Sequence, residues 1–166
     1  MADIALNNPD FKNADTVVCY DPRHGGISIG FLMSSRGGEF FTAINKKSIQ
    51  TLKYLKEGAA LYQSFGCLMI NKIYPTPEAI KVIHPSSNLI NLNSCSVYFY
   101  DHKQLEKVYH QKNLNHMPPE SIGIHWYGGH PDSQKMNNII NHENYKQFDN
   151  TLSEILEYIS KQNGIK

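Results

Sequence analysis

Ser121-Ile-Gly-Ile-His-Trp-Tyr-Gly-Gly-His-Pro-Asp-Ser-Gln134 holds the densest chemistry in this chain of 166 residues. Apolar and small residues alternate up to a histidine and the only tryptophan, then two glycines and a polar loop follow. The pattern predicts a strand that delivers its last side chains to a sheet edge, where flexible backbone can approach a ligand closely. His125, His130 and Asp132 fall within eight residues. A neutral imidazole suits a borderline cation such as Mn²⁺, and aspartate supplies a hard oxygen. Gly128 and Gly129 can turn N–H groups toward phosphate with no Cβ in the way. Ser133 and Lys135 would add a donor and a positive charge. The run reads as a diphosphate-and-metal site or, on pattern alone, as a tight turn in which His125 is a satisfied core histidine.

Outward from this stretch, Thr16-Val-Val-Cys-Tyr20 is β-branched and aromatic and predicts a strand, with Arg23–Gly26 as a turn and Ile27–Met33 as a second strand. The spacing of Phe40, Phe41, Ile44, Ile49, Leu52 and Leu55 predicts a helix that runs to Gly58. A second helix is expected over Ala59–Ile70, with Gly66 marking a close contact or a break. Ala79–His84 and Ser96–Tyr100 read as strands, Asn88–Asn93 as a hairpin or loop, and Asp101–Gln111 as a short helix or irregular excursion. From His142, the pattern of Tyr145, Phe148, Leu152, Ile155, Leu156 and Ile159 predicts an amphipathic terminal helix of about five turns. No repeat or linker interrupts the chain. One domain over residues 1–166 is expected, of α/β class with α+β as the alternative.

An apolar fraction of 40% argues for a folded chain with a real core. Sixteen Lys and Arg balance 15 Asp and Glu, so charge gives no case for nucleic acid or an anionic membrane surface. Cys19, Cys67 and Cys95 lie far apart with no CxxC pair, as expected for free thiols in a reducing compartment. No stretch approaches the roughly twenty apolar residues of a membrane span, and the first residues do not look like a signal peptide. With Met1 as the natural start, a cytoplasmic chain is expected.

Three weaker candidates stand beside the main one. Asp3, with Asp10, could complete a cation's oxygen shell, or belong to a frayed terminus. The glycines of Gly25–Phe31 could line a groove but do not match GxGxxG. Tyr98, Tyr100 and Tyr109 offer faces for a sugar ring, with buried packing as the other use. A metal-dependent hydrolase using His125, His130 and Asp132 would lack an HxH or HExxH pattern.

The order of these segments resembles a known family. Ile27-Ser-Ile-Gly-Phe-Leu-Met-Ser-Ser-Arg-Gly-Gly-Glu-Phe-Phe41 is similar to the "NGF" segment of glycosyltransferases with the DXD sugar-binding region, including glycosyltransferase family 32 and its mannosyl- and galactosyltransferase relatives. Tyr62–Met69 resembles a later tract in which Cys67 stands in place of a proline. His125-Trp-Tyr-Gly-Gly129 resembles the C-terminal "HW" motif, followed here by His-Pro-Asp-Ser-Gln in place of Ser-Trp. The resemblance spans roughly Ile27 to Gln134. It implies a GT-A-like mixed sheet flanked by helices, a nucleotide-sugar donor, a glycan or protein acceptor, Mn²⁺ (or Mg²⁺), and sugar transfer with retention. Carried over, His125 or Asp132 is the C-terminal metal ligand, and Gly128, Gly129, Ser133 and Lys135 close on the donor diphosphate. Trp126 packs beneath that loop. Asp3 stands where the last aspartate of the DXD belongs, with Ala2 and Met1 in place of the rest. The resemblance therefore also implies a C-terminal portion of a larger enzyme, working with an N-terminal nucleotide-binding part. The alternative is a non-catalytic carbohydrate- or protein-binding remnant.

Overall fold

The computed structural model describes residues 9–54, 66–112, 118, 121–125, 127–162 and 164. The architecture is mixed α/β, in two compact units, Asp3–Ser94 and Cys95–Lys166.

The first unit follows a short helix α1 (Pro9–Asn13) with the strand β1 (Thr16–Asp21), around which its sheet is built. β-Branched Thr16, Val17 and Val18 suit a pleated backbone buried on both sides, and all three are buried. β2 (Gly26–Ile27) and β3 (Met33–Ser34) pair antiparallel with β1, and β4 (Leu89–Leu92) pairs parallel with it. The N–H groups of Thr16 and Tyr20 point to the β4 edge, toward Asn88 O and the Asn91 Oδ1 side chain. The Cys19 carbonyl points the other way and accepts from Ser28 N. Alternation of the backbone groups thus puts β2 and β3 one after the other on the opposite edge.

The expected second strand over Ile27–Met33 is only β2 and β3, with a bend between. The segment Asn88–Asn93, expected as a hairpin or loop, contains β4, because Leu89 enters the core while Asn91 supplies a side-chain acceptor where the ladder ends.

Three helices pack on this sheet: α2 (Glu39–Tyr54), α3 (Cys67–Ile73) and α4 (Pro77–Ile83). α2 forms where the apolar spacing predicts a helix, with Phe40 buried and Phe41 and Ile44 against the core, whereas Ile49 and Leu52 are exposed. Gly66 is the N-cap of α3, so it marks a break, and a Cβ there would lie 2.9 Å from Ile29 Cδ1. α4 corrects the strand expected over Ala79–His84. Thr76 caps it by accepting from Ala79 N, and Pro77 sits at its first position. These start signals outweigh the β-branched run Ile80, Val82, Ile83. Val18, Ile27, Phe40, Ile70, Tyr74, Ile80 and Leu89 form the apolar core.

The second unit is helical. It contains α5 (Cys95–Tyr98), a 3₁₀ turn (His102–Gln104), α6 (Leu105–Tyr109), α7 (Pro131–Ile139), a 3₁₀ turn (Tyr145–Gln147) and α8 (Thr151–Gln162). The strand expected over Ser96–Tyr100 is the single helical turn α5. The five-turn helix expected from His142 is the 12-residue α8 preceded by a turn. Asn141 and Asn144 explain the shortening, since their side chains bond nearby backbone groups and compete with the helix. Tyr100, Leu105, Val108, Tyr109, Met136 and Leu152 form the core. Among the described residues no helix is long and apolar enough to cross a membrane.

Candidate functional site

The run Ser121–His125 belongs to no described sheet. Ile122 N and His125 N donate to the carbonyls of Ser96 and Val97 in α5, at 2.9 and 3.0 Å. This anchors the His125 ring among aromatics: Tyr98 lies 4.9 Å away between centroids, and Tyr127 lies 4.4 Å away, edge-on at 90°. Burial disfavours the charged imidazolium and pushes the His125 pKa down. His125 is therefore a neutral, half-buried imidazole, the protonation state a metal ligand needs.

After it the chain turns sharply. His130 N donates to Tyr127 O at 2.7 Å, and Tyr127 itself has φ +47°, in the left-handed region. Gly128 and Gly129 are exposed in this turn. A Cβ on Gly129 would meet nothing within 4 Å. The loop expected beyond the glycines is instead the nine-residue helix α7. His130 is its N-cap, with Nδ1 accepting from Asp132 N at 3.3 Å, and Pro131 takes the first helical position.

Asp132 lies in the first turn of α7, where a carboxylate complements the helix dipole. Its Oδ2 is 3.7 Å from His130 Nδ1 and its Oδ1 is 3.4 Å from Lys135 Nζ. The cap and the ion pair with His130 exclude each other, because the first uses the lone pair on Nδ1 and the second a proton there. The cap is the stronger assignment for a neutral ring, and it leaves Lys135 as the charge partner of Asp132. Lys135 is exposed on the surface.

Ser133 lies in the interior. It is fully buried, and its hydroxyl accepts from Tyr109 O–H at 2.7 Å. A hydroxyl so placed packs α7 on α6 and is withdrawn from solvent. Tyr98, Tyr100 and Tyr109 are all buried, in accord with the packing alternative. Asp3 and Trp126 lie outside the described residues.

His125, the glycine turn, His130 and Asp132 thus follow one another along the chain, and of these His130 and Asp132 touch. Among the described residues, no set of three His, Cys or carboxylate donor atoms within 4.8 Å includes His125, His130 or Asp132. A divalent cation fits the site in part. His130 Nδ1 is taken by the Asp132 N–H, so an ion there would be held by the Asp132 carboxylate and would draw its other ligands from phosphate and water, as Mg²⁺ and Mn²⁺ sites on substrate commonly do.

Sequence reasoning passed over His102. Its Nδ1 lies 2.7 Å from Asp101 Oδ1, and its ring is 6.1 Å from that of Tyr127. The signal was present: Asp101 and Gln104 form a capping box around the 3₁₀ turn, which fixes the backbone that carries His102. No protein-family model, curated protein or solved structure matches the chain.

Proposed function

We propose that the chain acts as a metal-dependent, retaining glycosyltransferase that moves a sugar from a nucleotide-sugar donor to a glycan or protein acceptor. One observation carries the reading: a neutral imidazole, an exposed glycine turn and the Asp132 carboxylate beside its His130 cap follow each other directly into a helix N-terminus. Such an N-terminus offers backbone N–H groups and positive potential to an anion. As the glycosidic bond breaks, negative charge grows on the departing diphosphate, and these groups stabilise it most at that moment. A cation held through Asp132 or His125 supplies further charge stabilisation of the leaving group. Lys135 then passes from the Asp132 carboxylate to the phosphate. Cys19, Cys67 and Cys95 form no disulfide, which suits a cytoplasmic setting.

The burial of Ser133 favours one other reading, a non-catalytic carbohydrate- or protein-binding remnant, because it withdraws a phosphate donor from the loop. Titration calorimetry with UDP- and GDP-sugars separates the two. Transfer chemistry requires heat that appears only with Mn²⁺ and weakens about tenfold or more in Asp132→Asn, the loss of one charged contact. No heat in any combination, or binding indifferent to Mn²⁺ and to Asp132, overturns the transferase.

A further inference from the structure

We propose that the outer side of α2, in its second half, docks on an anionic lipid bilayer and lies along that surface without crossing it. The proposal goes beyond the transferase reading and stands without it. Two rows of side chains on α2 exchange character along its length. The inner row begins with Phe40, Phe41 and Ile44 at the core and ends with the half-buried Ser48 and Thr51. The outer row, spaced by three and four residues, begins with Thr42 and Asn45 and ends with Ile49 and Leu52. Ile49 is 47% exposed and Leu52 55%. One exposed leucine is ordinary, but here apolar side chains face outward at the level where the inner row is polar. Ser48 and Thr51 are satisfied where they stand, by Met69 Sδ at 3.7 Å and the Lys47 carbonyl at 2.9 Å. A helix that served only to cover the sheet would have the reverse order.

Charge follows the same row. Lys46 stands three residues before Ile49 and Lys53 four residues after it, and both are exposed. Among the described residues neither lysine joins an ion pair. Glu39, the one acid of α2, lies at the opposite end of the helix, 3.6 Å from His84 Nδ1. The even charge of the whole chain is therefore uneven here, with three lysines against one acid over 16 residues.

Apolar side chains set between uncompensated ammonium groups fit a surface that is negative at its headgroups and apolar just beneath. Ile49 and Leu52 enter the acyl boundary. The lysine stems lie along it while their ammonium groups reach the headgroups. Other occupants fit less well. Nucleic acid matches the charge but leaves Ile49 and Leu52 unused. A second copy of this chain sets lysines against lysines. An acidic helix from another protein calls for a groove, and the outer side of one helix is convex.

Flotation of the full chain with vesicles tests this, using phosphatidylcholine alone and an equimolar mixture of phosphatidylcholine and phosphatidylserine. The chain is expected to float with the mixture and not with phosphatidylcholine. Binding should be lost in about 1 M salt, where charges are screened within about 3 Å. The double variant Lys46→Gln/Lys53→Gln weakens binding about tenfold, the scale of two surface lysines. Ile49→Gln/Leu52→Gln weakens it about as much by removing the inserted groups. All four positions are exposed, so both variants keep the wild-type circular dichroism. Hydrogen exchange over residues 42–53 slows when the mixed vesicles are added. Absence of flotation with the mixture, flotation that either double variant leaves unchanged, or unchanged exchange over 42–53 overturns the proposal. So does a wild-type dimer in sedimentation that Ile49→Gln/Leu52→Gln turns into monomers, because a second copy then covers this side of α2.

Discussion

The two units are held by different means. In Asp3–Ser94 the interior is mainly apolar, though Thr16 and Asp21 are buried too: Val18, Ile27, Phe40 and Ile80 are fully buried around β1, and Phe40 sits 5.1 Å from Tyr74 and 5.2 Å from Phe41. In Cys95–Lys166 polar groups enter the interior as well. Asn150 Nδ2 donates to Tyr109 O, its Oδ1 accepts from Ser153 N, and Thr151 Oγ1 lies 2.9 and 2.7 Å from the carbonyls of Lys107 and Gln111. The start of α8 therefore satisfies carbonyls that the end of α6 leaves without helical partners. The candidate site belongs to this second kind of interior. Directional bonds fix where side chains point, which a site needs, whereas dispersion and burial in the sheet unit fix mainly that it stays folded.

The largest expected effect tests that contrast. Phe40→Ala leaves a cavity in the sheet unit and costs about 3–5 kcal/mol, while Asn150→Ala removes a cap and orphans a buried carbonyl for about 2 kcal/mol. Hydrogen exchange read by mass spectrometry should show Phe40→Ala losing protection chiefly over residues 16–92. Asn150→Ala should lose it chiefly over 105–109 and 151–160. Equal loss in both regions from either variant breaks the comparison, because the units then unfold as one.

The same contrast decides how much was legible in the sequence. β1 was readable because three β-branched residues in a row leave little choice, and α2 because its apolar residues recur at helical spacing. Ile80, Val82 and Ile83 suggest a strand where α4 lies. Val82 is in fact 80% exposed, so the β-branching reports no buried sheet, and Thr76-Pro77 is the stronger signal. In the second unit the residue types were found and their directions were not. His125, Gly129 and Asp132 are legible as residue types, yet α7 turns Ser133 inward to Tyr109, and no pattern in Pro131–Ile139 announces that face. Local bonds such as the His130 cap and the Asp101–His102 pair depend on tertiary placement that periodicity does not encode.

Acid should separate the units by pH. Hydrogen bonding by Ser87 holds the Asp15 carboxyl below its usual range. Burial of Asp21 opposes ionisation, but the side-chain and backbone bonds of Arg23 outweigh it, and that carboxyl is also held low. Stability from these groups is complete above the unfolded carboxylate pKa of about 4 and is lost as pH falls through the lower folded values. His125 is depressed by burial, so the unfolded chain takes up its proton first. Its contribution is complete above about pH 6.5 and drains away as pH falls toward the folded value. Exchange protection around residues 122–125 should thus decline between neutral and mildly acid pH, while residues 16–27 hold until about pH 4. His125→Phe keeps an aromatic partner for Tyr98 and Tyr127 and should erase the early decline. A single shared transition near pH 4, unchanged in His125→Phe, would show that His125 is not excluded from water as its burial implies.

Two glycines make the sharpest and smallest test. Gly25 has φ +65° at the end of the β1–β2 turn, so Gly25→Ala strains the backbone and costs about 1 kcal/mol, although its Cβ would have open space. Gly129 has the same open space and no positive φ, so Gly129→Ala should change stability by less than about 0.5 kcal/mol. The fold thus requires the first glycine and gives no reason for the second. If Gly129 is there to let a diphosphate approach the backbone, Gly129→Ala should weaken Mn²⁺-dependent nucleotide-sugar binding while thermal melting stays where it was. Unchanged affinity would mean that phosphate does not come within a methyl group of the turn. The anion would then have to be held on the α7 side, by Lys135 and the helix N-terminus alone.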